Sequence, residues 1–167
     1  MTENFLSLPF MQQSMQVKNI AIYIPHENEI DTINLINYFS DSNINIFLPV
    51  MIDRTLQFFS YKKVDSLQEV KFGIKEPVVS ESNYIALENI DVMCIPVVAF
   101  DNSCHRLGRG GGFYDKALSN ILGSIKKCPA LIGLAYEFQC VHNIDADPWD
   151  VAMDYVVTEK KIYKNLR

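Results

Sequence analysis

The chain consists of short apolar runs separated by polar turns and by stretches with helical spacing. Apolar runs predict strands, because a strand covered on both faces of a sheet is apolar throughout. Residues 62–69 are polar and predict a loop or a helical turn, and residues 72–77 predict an irregular segment. The predicted strands are residues 19–24, 45–50, 91–100, 130–135 and 155–158, with a further strand at 55–61, at an edge of the sheet.

Two longer amphipathic helices are predicted between these strands. The first opens at Glu29, after the turn that follows Pro25, and the second runs from Phe113 to about Leu122. A short amphipathic helix broken by Pro9 is predicted near the first residue. The inward positions are Ile30, Ile33, Ile36 (or Tyr38) and Phe39 in the first helix, and Phe113, Ala117 and Ile121, with Tyr114, Leu118 and Leu122 beside them, in the second.

Strands that alternate with helices predict an α/β fold. The expected architecture is a mostly parallel, twisted sheet with helices on both faces, in a three-layer α/β/α arrangement. Ligands of such sheets bind at the carboxyl ends of the strands. The strand at residues 91–100 therefore brings the segment that follows it to the binding edge.

That segment is rich in glycine. Residues 106–115 read Arg-Leu-Gly-Arg-Gly-Gly-Gly-Phe-Tyr-Asp and contain four of the seven glycines of the chain. A loop without Cβ atoms allows its N–H groups to turn toward an anion at the start of a helix, and Arg106 and Arg109 add positive charge. Asp115, in the first helical turn, could hold a metal ion against a phosphate. The stretch predicts a phosphate site; the alternative is a glycine-rich surface turn with solvated arginines.

Two common phosphate-binding motifs do not fit this stretch. A G-x-G-x-x-G motif that starts at Gly108 would need a glycine where Phe113 stands. A P-loop would need Lys-Ser or Lys-Thr after its last glycine, and neither pair follows. The loop therefore indicates phosphate without indicating a reaction.

Composition narrows the class of protein. A chain of 167 residues is expected to form a single domain, and its net charge of −5 argues against a general nucleic-acid-binding protein. No apolar run approaches the length of a membrane span, and the four cysteines lack C-x-x-C spacing, so no membrane or zinc site is expected. Cys94 lies in an apolar strand and is expected in the core. We expect a cytoplasmic monomer.

Several carboxylates are candidates for ligand or metal binding. Glu29 stands at a predicted helix start, where the helix dipole alone would favour it. Asp145, Asp147 and Asp150 cluster around Trp149, either as an acidic surface loop or as the source of a second metal carboxylate near the glycine stretch. The pattern does not choose among the three. The histidines are isolated from any candidate nucleophile, which argues against a catalytic triad.

The glycine stretch, preceded by Ile-Pro-Val-Val-Ala-Phe-Asp at residues 95–101, closely resembles the signature of the 5-formyltetrahydrofolate cyclo-ligase family. Further segments resemble family landmarks in family order across residues 18 to 160. They are Glu-Ile-Asp-Thr at 29–32, Phe-Leu-Pro at 47–49, Phe-Gly-Ile-Lys-Glu-Pro at 72–77, Ile-Gly-Leu-Ala-Tyr at 132–136 with Gln139, and Asp150 with Val-Thr-Glu at 157–159.

The resemblance implies a ring closure that depends on ATP and Mg²⁺. In the family, the N5-formyl oxygen of 5-formyltetrahydrofolate attacks the γ-phosphate of ATP. N10 then closes on the activated carbon, and 5,10-methenyltetrahydrofolate, ADP and phosphate are released. Phosphoryl transfer depends mainly on positioning and charge neutralisation, so no protein nucleophile is expected.

The resemblance also implies roles for individual residues. Arg106, Arg109 and Asp115 are implied as catalytic, Asp115 and Asp150 as metal ligands, and Glu29 as a folate contact near the formyl group. The match thus selects Asp150 from the three clustered aspartates. The implied ATP contacts are Arg106, Leu107, Gly108, Arg109, Gly110, Gly111, Gly112, Phe113 and Tyr114.

Two positions depart from the family pattern. Phe113 and Tyr114 match an aromatic pair, usually two tyrosines, that lies against the folate, and Phe113 removes one hydroxyl. Family members also generally begin with a helix that carries a Lys-x-x-x-Arg pattern, whereas Lys18 is the only basic residue before the first strand here. We expect one domain over residues 1–167 without that helix. Either the start is shortened, Lys75 or Arg54 replaces the missing contacts, or phosphate binding is weaker.

Two other functions remain open at this point. The chain could be a non-catalytic family member that binds folate or nucleotide without turnover. It could also be a sugar-phosphate isomerase or a CoA-transferase-like protein of related architecture, although that leaves the stretch at 106–115 unexplained.

Overall fold

An eight-stranded mixed sheet forms the centre of the molecule, with strand order β12-β11-β10-β7-β1-β2-β3-β6. The computed structural model describes residues 1–12, 17–70, 73–119 and 127–166. The strands are β1 Asn19–Ala21, β2 Asn45–Ile52, β3 Thr55–Tyr61, β4 Leu67–Glu69, β5 Lys75–Pro77, β6 Tyr84–Ile85, β7 Val92–Pro96, β8 Ala99–Phe100, β9 Arg106–Leu107, β10 Ala130–Leu134, β11 Tyr155–Val157 and β12 Ile162–Lys164.

Helices cover both faces of the sheet. The α-helices are α1 Thr2–Leu6, α2 Pro9–Gln12, α3 Ile33–Asp41 and α4 Phe113–Ser119. Short 3₁₀ helices lie at Glu81–Asn83, Leu87–Asn89 and Glu137–Gln139. None of the helices in the described part of the chain has the length and apolarity that a membrane span requires.

The central strands are parallel, as the alternation of strands and helices predicts. Strands β11, β10, β7, β1 and β2 run parallel, and β12, β3 and β6 join antiparallel toward the two edges. Successive residues of β7 point to opposite faces: Val92 and Cys94 enter one core, whereas Met93 and Ile95 enter the other. The first core contains Phe5 of α1 and residues of α3, and the second contains Leu118 of α4. The predicted three-layer α/β fold is confirmed.

The helix predicted to open at Glu29 begins four residues later, at Ile33. Two polar contacts fix this start: the hydroxyl of Thr32 donates to the backbone oxygen of Tyr23 at 2.7 Å, and Asp31 accepts from the N–H of Ile33 at 2.8 Å. Glu29 therefore lies in the preceding loop. The inward face also differs from the prediction, because Ile33 and Tyr38 are exposed, while Ile36 and Phe39 are buried together with Leu35.

Some strand predictions were also wrong in detail. The strand predicted at 91–100 is two strands, β7 and β8, and β8 pairs with β9 in a small antiparallel sheet. Strand β3 is not an edge strand, since β6 pairs with its outer side. Segments predicted as loop or irregular contain β4 and β5, which pair with each other. Residues 72, 121 and 122, which entered the predictions, lie outside the described residues.

Strands β2 and β3 form a long hairpin with a two-residue turn. The pairing runs from Ile46 opposite Tyr61 to Ile52 opposite Thr55. The turn residues Asp53 and Arg54 have φ values of 47° and 64°. Two positive φ values are typical of a type I′ turn, whose twist matches that of the flanking strands.

Candidate functional site

A cavity of about 980 Å³ opens beyond the carboxyl ends of the central parallel strands. Its walls include Tyr23 after β1, Leu48 of β2 and Pro96 of β7. The glycine stretch and the start of α4 complete it. This is the edge at which parallel sheets bind ligands, and every residue from Arg106 to Asp115 lines the cavity, as do Glu29 and Asp150. The structure thus brings all the predicted site residues to one space.

The glycine loop has a backbone that other residues would not adopt without strain. Gly110 and Gly112 have φ values of +84° and +61°, in the left-handed region that favours glycine. At Gly111 a Cβ atom would lie 2.6 Å from Cδ2 of the Phe113 ring, so a side chain there would displace that ring. The carbonyl oxygen of Gly112 accepts the backbone N–H of Lys116 at 3.0 Å, which joins the loop to α4.

Arg106 and Asp115 form a largely buried ion pair at the base of this loop. Nη2 of Arg106 donates to Oδ1 of Asp115 at 2.7 Å, and the side chains are only 6% and 21% exposed. The guanidinium carbon lies 5.9 Å from the ring centre of Tyr114. Among the described residues Nε of Arg106 has no hydrogen-bond partner. A largely buried cation that lines a cavity and keeps one donor without a partner among the described residues is suited to an anionic ligand.

Arg109 is placed differently, because its side chain is about half exposed. It pairs with Glu27 at 2.9 Å and with Glu29 at 3.4 Å, and it donates to the backbone oxygen of His26 at 3.3 Å. These contacts tie the glycine loop to the segment that follows β1. Arg109 therefore faces acceptors of the protein, whereas Arg106 keeps a donor that no described residue satisfies.

Glu29 lies in the loop before α3, not at a helix start. Its Oε2 accepts the backbone N–H of His26 at 3.0 Å, and its side chain is 15% exposed. Burial raises the pKa of Glu29, and the hydrogen bond from His26 and the charge of Arg109 only partly offset that rise. A largely buried carboxylate on the cavity wall can accept N–H or O–H donors from a ligand.

Two tyrosines lie in the cavity wall beside Glu29. Tyr114, which the sequence predicted, belongs to the first turn of α4; Tyr23, which it did not, follows β1 and is only 4% exposed. Burial raises the pKa of both, and the Glu29 carboxylate adds to the rise, so both hydroxyls remain protonated. Tyr23 could have been found from the sequence, because it nearly ends an apolar strand run and therefore falls at the binding edge.

The acidic loop contributes one of its three aspartates to the cavity. Asp150 lines it together with Trp149, whereas Asp145 and Asp147 do not. The N–H of Val151 approaches Oδ1 of Asp115 at 3.4 Å, so the backbone next to Asp150 touches the helix that carries Asp115. In the described ranges no group of three or more His, Cys, Asp or Glu side chains is placed to hold a metal ion.

Of the two basic residues considered as replacements for an N-terminal contact, only one lies at the cavity. Lys75 of β5 lines it. Arg54 occupies the turn between β2 and β3 and is absent from the lining.

Two polar side chains from stretches that resemble family landmarks, to which the sequence assigned no role, support the segment between β7 and β9. Asp101 is 3% exposed and accepts the N–H groups of Ser103, His105 and Ile144 as well as Nδ1 of His105. Gln139 donates to the carbonyl oxygens of residues 97 and 98, at 2.7 and 2.9 Å. These bonds fix the cavity wall that leads into the glycine loop.

Comparisons with known proteins identify the family of the chain. A sequence model of the 5-formyltetrahydrofolate cyclo-ligase family matches residues 2–159. The chain is 38% identical over 144 residues to 5-formyltetrahydrofolate cyclo-ligase of Haemophilus influenzae, which covers 84% of this chain and 75% of that protein. It is 32% identical over 148 residues to the Escherichia coli K12 protein of the same name, which covers 87% of this chain and 80% of that protein.

Solved structures show the same likeness. The NMR structure of Aquifex aeolicus 5,10-methenyltetrahydrofolate synthetase superimposes with a TM-score of 0.80 at 30% identity, over 99% of this chain and 79% of that chain. A 5,10-methenyltetrahydrofolate synthetase from Mycoplasma pneumoniae gives a TM-score of 0.65 at 26% identity, over 93% and 78% of the two chains.

Proposed function

The chain belongs to the 5-formyltetrahydrofolate cyclo-ligase family of enzymes, and from this premise we propose that it cyclises 5-formyltetrahydrofolate to 5,10-methenyltetrahydrofolate in a reaction that consumes ATP, requires Mg²⁺ and releases ADP and phosphate. The observation that carries the proposal is the convergence of the glycine loop, the Arg106–Asp115 pair and Glu29 on one cavity.

The phosphate end of the cavity fits a nucleotide. The four glycines of the loop, Gly108 and Gly110 to Gly112, are exposed, and a Cβ atom at Gly110 or Gly112 would meet no heavy atom within 4 Å, so an anion can approach the backbone there. Arg106 keeps one buried donor without a partner among the described residues. In this proposal Arg106, Arg109 and the loop from Leu107 to Gly112 bind the phosphates, with Phe113 and Tyr114 beside them.

Mg²⁺ fits a site with few carboxylates. On a nucleotide, Mg²⁺ typically uses one or two protein carboxylates and takes its other ligands from phosphate and water. Asp115 and Asp150 both line the cavity and are the proposed metal carboxylates. The metal and ATP would supply the activated phosphoryl group, and the protein would supply orientation and positive charge.

The folate end is the part of the wall with Glu29, Phe113 and Tyr114. The aromatic side chains offer flat surfaces for a heterocycle, and Glu29 offers an acceptor. Because Glu29 is bonded to the backbone of His26, its carboxylate is oriented before a ligand binds. The roles proposed for Arg106, Arg109 and Asp115 in catalysis are positional and electrostatic, as phosphoryl transfer requires.

The test is formation of the methenyl product, followed by its near-ultraviolet absorbance with folinic acid, ATP and Mg²⁺. Wild type is compared with Asp115→Asn, whose folding is checked by circular dichroism, and with Asp41→Asn. Asp41 is an exposed carboxylate at the end of α3 and does not line the cavity. We expect product only with ATP and Mg²⁺, a large loss in Asp115→Asn and none in Asp41→Asn.

The same experiment decides between the enzyme and a non-catalytic family member. If wild type forms no product while folinic acid or ATP still binds in calorimetry, the chain binds its ligand without turnover. We further expect it to act as a cytoplasmic monomer on a small molecule, without nucleic acid or membrane; sedimentation at micromolar concentration that gives a dimer would contradict the monomer.

A further inference from the structure

Two buried polar atoms have no hydrogen-bond partner among the described residues, and both belong to residues of the cavity wall. They are Nε of Arg106 and the hydroxyl oxygen of Tyr23. A buried polar group without a partner destabilises a protein, and such groups are rare in folded chains. Arg106 belongs to the phosphate end already described. Tyr23 has no role in the proposed reaction so far.

The position of Tyr23 is fixed by its backbone. Its carbonyl oxygen accepts the hydroxyl of Thr32, which is fully buried, at 2.7 Å. The residue directly follows Ile22, whose N–H is bonded to the carbonyl oxygen of Phe47 in β2. The backbone of Tyr23 is therefore held between the central sheet and the start of α3, and its side chain is buried in the core on that face of the sheet.

The surroundings of Tyr23 suit a flat heterocycle with a polar edge. Glu29 and Tyr114 lie close enough that the Glu29 charge raises the pKa of both tyrosines, and Leu48 adds an apolar side chain to the same wall. Burial keeps the Tyr23 hydroxyl protonated, so that it is available as a donor. The wall thus offers one acceptor, the Glu29 carboxylate, and one donor, the Tyr23 hydroxyl.

The position of this pair of groups favours the folate. A reduced folate carries N–H donors on its bicyclic ring and carbonyl oxygens on that ring and on its formyl group, so it can satisfy both protein groups. Adenine also has an amino donor and ring-nitrogen acceptors, so the pair alone does not separate the two substrates. Tyr23 lies beside Glu29, at the end of the cavity proposed for the folate, and its contact is therefore assigned to the folate.

We propose that the hydroxyl of Tyr23 donates a hydrogen bond to a carbonyl oxygen of the reduced folate and makes Tyr23 a substrate-binding residue. The inference rests on the proposed function and adds to it a contact on the β1 side of the cavity. In the free protein no described residue satisfies this hydroxyl, and the bound folate does.

Tyr23→Phe tests the contact because it removes the hydroxyl and keeps the ring. A hydrogen bond between neutral groups contributes roughly a 2- to 13-fold change in affinity, so we expect the KM for folinic acid to rise by about that factor. The KM for ATP and kcat should stay within about twofold. The thermal midpoint of the free protein should not fall, because the removed hydroxyl has no partner among the described residues.

Tyr163→Phe is the matched control. Tyr163 is a buried tyrosine outside the cavity, and its hydroxyl donates to Oε1 of Glu137 at 2.7 Å. We expect this variant to lose thermal stability and to leave both KM values unchanged. The two variants therefore give opposite results if Tyr23 binds substrate.

Three results would overturn the inference: an unchanged KM for folinic acid in Tyr23→Phe, an increase confined to the KM for ATP, or a loss of stability as large as that of Tyr163→Phe. Failure of the proposed reaction is recognised separately. If wild type shows no turnover, calorimetric titration with folinic acid still compares wild type with Tyr23→Phe, and weaker binding by the variant supports the contact. Absence of folinic acid binding by wild type would overturn both proposals.

Discussion

Replacing Asp115 by Asn should destabilise the folded protein as well as stop turnover. Asp115 is the ion-pair partner of Arg106, whose side chain is 6% exposed and whose Nε has no partner among the described residues. Removing the carboxylate leaves a guanidinium charge in a poorly solvated site. Removing one partner of a fully buried ion pair costs about 3–5 kcal/mol.

The expected magnitude is smaller than that limit. Asp115 is 21% exposed, so water reaches the pair in part, and an asparagine oxygen can still accept a hydrogen bond from Arg106. We expect a loss of about 2–3 kcal/mol in the free energy of unfolding. For a chain of 167 residues, each kcal/mol lowers the thermal midpoint by about 2–4 °C, so the shift should be about 4–12 °C.

Calorimetric unfolding measures how strongly the two residues stabilise each other. Four proteins are compared: wild type, Asp115→Asn, Arg106→Met and the double variant. Because the two residues interact, the double variant should lose less stability than the sum of the single losses. Asp41→Asn, which changes an exposed carboxylate, should stay within about 0.5 kcal/mol of wild type. Additive losses, or an unchanged midpoint in Asp115→Asn, would show that Asp115 does not stabilise the charge of Arg106.

Two further predictions concern the scaffold of the site. At Gly133 a Cβ atom would overlap the side chain of Met153, with 2.9 Å to its Cε, and Met153 is fully buried. Gly133→Ala should therefore lower the free energy of unfolding in urea by about 1–3 kcal/mol. An unchanged urea midpoint would contradict this packing. Burial pushes the pKa of Asp101 upward, but hydrogen bonds, above all from His105, outweigh it and hold that pKa below its ordinary range. The stabilisation by this carboxylate is thus complete above the unfolded-state pKa of about 3.9 and is lost as the pH falls through the lower folded-state value. The free energy of unfolding, measured from pH 7 into acid, should therefore depend less on pH in Asp101→Asn than in wild type.

The sequence predicted the class of fold and the family because those depend on strong local signals. The apolar runs at 45–50 and 130–135 became β2 and β10 with almost the predicted bounds. The family assignment, drawn from residues 106–115 and the landmarks around them, is confirmed by the family model and the relatives. The roles of the individual site residues stay predictions, and the experiments above address them.

The predictions of helix and strand bounds were wrong where contacts with other segments outweigh the local pattern of apolar residues. Ile33 fits the helical spacing of an inward residue, yet Thr32 and Asp31 fix the start of α3 so that Leu35 enters the core instead. The strand that was predicted to be continuous through residue 100 is interrupted after Pro96, where Gln139, distant in sequence, takes the next carbonyl oxygens. That the hydroxyl of Tyr23 has no partner among the described residues could not be predicted from local sequence, because it depends on which groups distant segments place around it.

The β2–β3 hairpin has a consequence for the order in which the molecule assembles. Its strands are joined by the two residues Asp53 and Arg54, whereas β1 must find β7 across about seventy residues, as in the pairing of Ile20 with Val92. Closing a short loop costs less entropy and takes microseconds, so the hairpin can form before the parallel sheet does. Since this hairpin contributes Leu48 and Leu56 to the cavity, we expect one wall to be in place early and the glycine loop to be positioned last.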